Sequence, residues 1–258
     1  MNNVLLSVFF AIFLLVGMLV LLEIGWRTGA HHRMSRDRAQ AGLGAVDGAI
    51  FALLGLLIAF TFSGAATRFD SRRALIIEET NNIGTAWLRL DLLNPGPRAK
   101  LREAFRRYVD SRLEVYQQSV DFADAREALT RSNVIQTEIW NQAVPATQEN
   151  GVAPSTAMLL LPALNEMFDI TTVRTAAIQT HPPWIIFAML AMLAFVSSLL
   201  AGYGMAGSKL RSWMHMISFA LIMSVSVYVI LDLEFPRLGL IRIDNFDQFL
   251  ISLRQSMN

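Results

Sequence analysis

The chain has 258 residues, 53% hydrophobic and 17% charged, with a net charge of +1 and no cysteine. That balance excludes a plain soluble enzyme and a disordered chain, and it leaves no basic footprint for nucleic acid. The missing cysteine rules out disulfides, zinc-thiolate sites and thiol nucleophiles.

The charges are unevenly spread. Four stretches, 1–22, 48–67, 182–208 and 212–231, carry no Asp, Glu, Lys or Arg. A helix needs about 20 apolar residues to cross a bilayer, and its backbone must satisfy itself there. Four transmembrane helices are therefore predicted, at roughly 4–23, 43–64, 183–204 and 213–232. The start, Met1-Asn2-Asn3, has no positive region and no small-residue cleavage site follows it, so the first span is expected to be retained.

The predicted organisation is all-α: spans one and two over 1–64, an extramembrane helical bundle over 65–182, spans three and four over 183–234, and a C-terminal tail over 235–258. The loop after span one holds Arg27, Arg33, Arg36 and Arg38 against Asp37, and the loop after span three holds Lys209 and Arg211. Positive short loops stay in the cytoplasm. The N-terminus, the bundle and the C-terminus are then expected outside, in the periplasm of a bacterial inner membrane. Arg68, Arg72 and Arg73 after span two argue the other way, but the segment 65–182 holds 13 basic and 14 acidic residues. Long segments cross largely regardless of charge.

Span two begins with a stripe of small residues, Gly44, Gly48, Ala52, Gly55 and Ala59. Such a stripe lets helices approach closely, within one chain or between copies. Elsewhere around the same helix, Phe51, Leu54, Ile58 and Phe62 could form a hydrophobic constriction in an oligomer. Asp47 is the ionisable residue placed deepest in a span, and such residues are functional candidates by default. His215 and Glu23 fall at a similar depth, so the three could guard one mouth of an ion path or sit among headgroups.

Phe62, Phe69, Ile76, Ile83 and Leu90 are spaced seven apart with no Gly or Pro over 65–83. Span two is thus predicted to leave the membrane as one long helix reaching about Leu92, the alternative being a break at Ser63-Gly64. Arg68, Asp70, Arg72 and Arg73 lie at the level where Asp232 and Glu234 leave span four, which suggests salt bridges there. Glu78 and Glu79 add a polar patch that could line a vestibule or face solvent.

Asn94-Pro95-Gly96-Pro97 predicts a turn. A helix follows with Leu101, Phe105, Tyr108, Arg112, Tyr116 and Val120 on one face, and another over roughly 124–143 with Leu129, Ile135 and Ile139. A polar loop is expected over 145–154. Ser155 then opens a helix towards Thr180, with Pro162 kinking it or marking its start. His181-Pro182-Pro183 separates that helix from span three.

No phosphate loop, nucleophile elbow or zinc-protease motif is present, and His31-His32 beside arginines is a poor metal site. No enzyme, metal or cofactor is predicted. The partners expected are the lipid bilayer, further copies of the chain and a small ion.

Several stretches together carry a resemblance: GLLIAFTFS at 55–63, RFDSRRALIIEE at 68–79, NIGTAWLR at 82–89, FRRY at 105–108 and LDLEFPRLGLIR at 231–242. The chain resembles a bacterial family of bestrophin-like membrane proteins whose own function is unassigned. Bestrophins proper are pentameric anion channels with four membrane segments per subunit, an apolar neck and a cytosolic helical domain. Their neck and calcium-clasp motifs are not found here, so the resemblance assigns no residue a role, and their domain orientation is the reverse of the one the loop charges predict. It implies a homo-oligomeric ion channel, with anions slightly favoured. The reading of another class is a non-conducting sensor or scaffold that binds a partner through its helical bundle.

Overall fold

The computed structural model describes residues 2–32, 40–117, 122–206, 212–235 and 239–257. Every regular element among them is helical: α1 (Asn2–His32), α2 (Gln40–Arg89), α3 (Pro95–Gln117), α4 (Phe122–Ala146), α5 (Ser155–Gln179), α6 (Trp184–Met205), α7 (Trp213–Glu234) and α8 (Asp247–Ser256), with short 3-10 turns at Leu90–Leu92 and Asp244–Phe246. Four apolar stretches of membrane-crossing length lie within 5–31, 44–92, 155–205 and 213–234. The protein is a multi-pass, all-α membrane protein. Its chain forms two compact units, one of residues 1–68 and 181–240, the other of 69–180 and 241–258.

The first unit is the membrane-type bundle. Leu14, Met18 and Leu22 recur every fourth residue on α1 and are fully buried, which is helical spacing for one inward face. They meet Leu54 of α2, Leu190 and Ala194 of α6, and Met216, Ala220 and Val227 of α7. Leu6, Phe9 and Phe13 of α1 stay exposed on its other side, as a lipid-facing surface requires. α1 and α6 run parallel: Gly17 lies beside Phe195, Gly25 beside Leu199, and Gly29 beside Ala206. A Cβ on Gly25 would strike the Leu199 carbonyl oxygen, and one on Gly202 the Leu22 carbonyl oxygen. Two backbones in direct contact explain why both positions are glycine, since lipid gives helices no hydrophobic reason to associate and contact distance decides.

This relocates the close approach expected of the small residues on span two. No atom comes within 4 Å of where a Cβ would stand on Gly44, Gly48 or Gly55, and Ala52 and Ala59 are exposed. Within the chain, that stripe touches nothing described.

The second unit is a helical bundle. Ile76, Ile83 and Leu90 of the seven-residue series are buried, Phe69 is half-buried and Phe62 is exposed. α2 runs unbroken past Ser63-Gly64. Its buried residues join Leu101, Phe105 and Tyr108 of α3, Ile139 and Ala143 of α4, and Leu160, Leu164 and Met167 of α5. α3 and α4 form an antiparallel hairpin. Arg107 Nη2 lies 2.6 Å from Glu138 and Arg131 Nη2 lies 3.0 Å from Glu114 across it.

Three boundaries differ from expectation. Pro95, Gly96 and Pro97 form the first turn of α3 rather than a loop, because the first turn of a helix needs no N–H from proline. Pro145 closes α4 instead of opening the loop. Pro162 sits inside α5 without dividing it; the helical bond its missing N–H cannot make would have gone to the carbonyl of Met158, a residue that is exposed. The C-terminal tail is not featureless: α8 buries Leu250 and holds Asp110 of α3 through Arg254 Nε at 2.7 Å.

Gly202→Val should unseat α6 from α1 and destabilise the protein by about 1–3 kcal/mol or more, whereas Gly48→Ala should leave the protomer's stability unchanged. Thermal unfolding of both purified variants checks the contrast.

Candidate functional site

α2 organises the polar residues of both units. Its buried face carries Leu54, Ala65, Arg72, Ile76, Glu79, Ile83, Ala86 and Leu90, so two charged residues occupy positions that spacing alone would give to the core.

In the first unit, Glu234 at the end of α7 is almost wholly buried. Its Oε1 accepts hydrogen bonds from Arg68, with Nε at 2.9 Å, and Nδ1 of His181 lies 3.5 Å from its Oε2. The His181 ring rests against Phe235, centroids 4.9 Å apart. Asp232, also buried, takes the Leu240 N–H on both oxygens at 3.1 and 3.0 Å and the Tyr228 hydroxyl at 3.3 Å. A Cβ on Gly239 would overlap that carboxylate. Thus the acidic residues and the glycine of LDLEFPRLGLIR have one physical purpose: the carboxylates fold the chain back after α7 and fix it beside Arg68. A buried carboxylate is tolerated when charged or backbone donors surround it.

In the second unit, Glu79 is fully buried between two arginines. Arg112 Nε of α3 lies 2.6 Å from its Oε1, and Arg174 of α5 bonds its other oxygen. Gln136 Nε2 of α4 donates to the Tyr108 hydroxyl at 3.2 Å and to Thr171 Oγ1 at 3.3 Å. Burial pushes the Tyr108 phenol well above its ordinary range; Arg112 pulls it down and Glu79 pushes it up, and burial prevails. Arg72 donates to the carbonyls of Ala177 at 3.1 Å and Thr180 at 3.0 Å, which holds the end of α5.

These positions correct several sequence expectations. Arg72, Glu79, Asp232 and Glu234 are buried and line no vestibule. Arg68 does pair with Glu234, inside the first unit, and Asp232 accepts the Leu240 N–H. Asp70 and Glu78 are exposed; Arg73 pairs locally with Asp70 at 2.9 Å and lies over the Phe246 ring at 4.3 Å. Leu54 is fully buried, Phe51 meets Phe219 edge-on at 6.1 Å, and Ile58 joins the same core. Leu54 is thus closed off within its own chain, Phe51 and Ile58 are half-buried, and Phe62 is open, at 46% exposure.

The proposed mouth residues are not gathered by their described contacts. Glu23 is held by Arg27 Nε at 2.6 Å on its own helix, exposed His215 by Ser212, and Asp47 is half-buried on the core-facing side of α2. Arg33, Arg36, Asp37, Arg38, Lys209 and Arg211, which set the predicted orientation, lie outside the described residues, as do Val120 and the side chains of His32 and Tyr116.

Among the described residues no group of His, Asp or Glu converges as for a metal. The arrangement positions helices and buries charge. Four apolar spans and a bundle built on the continuation of one of them define an all-α, channel-like membrane fold. The chain matches the bestrophin-like domain over residues 8–245 and belongs to the bestrophin-like family. Its fold is similar to that of a bacterial bestrophin homologue from Klebsiella pneumoniae, crystallised with a mutation, at a TM-score of 0.66 and 16% identity over 95% of this chain and 97% of that one. No curated protein matches the sequence.

Replacing Glu79 with Ala should remove the carboxylate that two buried guanidinium groups share and cost about 3–5 kcal/mol, read as a lowered unfolding temperature. Arg73→Ala, at a half-exposed local pair, should cost under about 1 kcal/mol.

Proposed function

We propose that the protein is a homo-oligomeric ion channel of a bacterial inner membrane, with span two of each copy lining the path. The observation that carries this reading is how little of span two its own chain covers. In its most apolar stretch 11% of the residues are buried, against 44% in α7. The uncovered side has structure of its own. Gly44, Gly48, Ala52, Gly55 and Ala59 form a shallow row on one flank, and Val46, Leu53 and Phe60, all exposed, form a bulky row on the other. The bulky row of one copy fits the shallow row of the next, and repetition of such a head-to-tail contact closes a ring.

Between the rows, turned from the core, run Ala45, Ala49, Leu56 and Ser63, all exposed. In the ring this line faces the axis, and Leu56 is its one bulky apolar member. It takes the constricting role that Leu54 cannot fill. Asp47, near the start of the span and half-buried on its core-facing side, acts at the mouth through its charge and not by lining the axis. The ion is left open: the family resemblance favours anions, and a carboxylate at the mouth favours cations. The loop arginines place the bundle and both termini outside.

Purified protein in planar bilayers should conduct. Leu56→Ser should raise conductance several-fold, Leu54→Ser should destabilise the protomer, and Asp47→Asn should alter conductance or selectivity. Silence under both anion and cation gradients would favour the sensor or scaffold reading, in which the bundle takes a partner without ion flow. Orientation has its own check: Asn150→Cys should react with a membrane-impermeant maleimide in spheroplasts, and reaction only after lysis would reverse the assignment.

A further inference from the structure

The charges that α2 turns outward are of one sign. Of its ionisable residues, between Gln40 and Arg89, only Asp70 and Glu78 are exposed, and both are acidic. Asp47 is half-buried and Glu79 is buried. The four arginines of the same helix are half-buried or buried.

Each of these arginines is engaged. Arg68 donates to Glu234 at 2.9 Å, Arg72 to the carbonyls of Ala177 and Thr180, and Arg89 to the carbonyl of Leu159 at 2.5 Å. All three are turned to partners on other elements. Arg73 alone stays beside an open acid: it pairs with Asp70 and rests over the Phe246 ring. Asp70 is still 69% exposed, against 38% for Arg73. Glu78 makes no ion pair among the described residues.

The open acids also fall in the right place on the helix. Ala49, Leu56 and Ser63, of the line assigned to the axis, recur every seven residues, and Asp70 is the next member. Seven residues is nearly two turns, so on an unbroken helix Asp70 shares that face. Glu78 follows about two turns further on. A unit charge about 6 Å from an ion in water changes the ion's local concentration roughly threefold, which shifts the ratio of cations to anions about tenfold. Repetition around a ring adds to that effect, and rings of carboxylates select cations.

We propose that the conducted ion is a small inorganic cation, selected by the charge of Asp70 and Glu78 repeated around the axis where α2 leaves the span. Arg73 moderates the selection through its pair with Asp70. This is the reverse of what the family resemblance implies, because the arginines that would favour anions are held by other partners while the acids stay open. The inference rests on the channel reading.

The test uses the full-length protein in planar bilayers under a tenfold gradient of potassium chloride. The wild-type current should reverse on the potassium side, beyond half of the about 59 mV that a perfectly selective path reaches. Asp70→Asn combined with Glu78→Gln, both at exposed positions and nearly unchanged in size, should lower the potassium-to-chloride permeability ratio roughly threefold or more. Arg73→Gln, which releases the Asp70 carboxylate, should raise the ratio. A wild-type reversal on the chloride side, or a ratio that the double substitution leaves unchanged, would overturn the inference while the channel reading stands. No current under any gradient would overturn both.

Discussion

One unbroken helix governs the rest. α2 runs for 50 residues from Gln40 to Arg89 and contributes to both compact units. A helix of that length keeps its faces in register, so one buried stripe can pass from Leu54 to Leu90. The charges on that stripe are fixed by partners on other elements, Arg72 by the end of α5 and Glu79 by α3 and α5. Whatever moves α2 along its axis must break those bonds.

The two acidic clusters solve one problem differently. Glu234 and Asp232 are buried at a chain reversal and are matched by Arg68, His181 and a backbone N–H. Glu79 is held by two arginines from different helices, Arg112 and Arg174. Buried ion pairs add little net stability over an apolar core, yet losing one partner is costly. Such pairs therefore fix geometry more than they strengthen it. In the first unit they fix where the chain goes after α7. In the second they fix the azimuth of α2 against α3 and α5.

Much of the architecture is legible in the sequence because lipid demands it. Charge-free stretches of membrane length mark four spans, and the seven-residue series from Ile76 to Leu90 marks the core face of the bundle. What escapes notice is the choice of face within a span. Around span two nearly every side chain is apolar or small, so periodicity does not tell core from open surface, and it does not show that Leu54 is buried within its own chain. The close approach of α1 and α6 at Gly25 and Gly202 is hidden for a related reason: each glycine lies against the backbone of a helix far off in the chain, while the conspicuous glycine row on span two meets nothing described within it. Arg174 is missed among threonines. Arg112 was visible as a charge on an otherwise apolar stripe, a signal that a buried partner must exist. The helix α8 is missed because ten residues with four apolar positions read as a tail until α3 supplies the surface.

The central claim is that the uncovered side of α2 is covered by further copies of the same chain around an axis. A structure of the protein assembled in lipid nanodiscs, with the radius measured along its symmetry axis, tests this most directly. The account predicts a closed ring with α2 innermost, Leu56 directed at the axis and Leu54 turned away from it. A monomer, or a ring in which α2 faces lipid and another span lies nearest the axis, would contradict it.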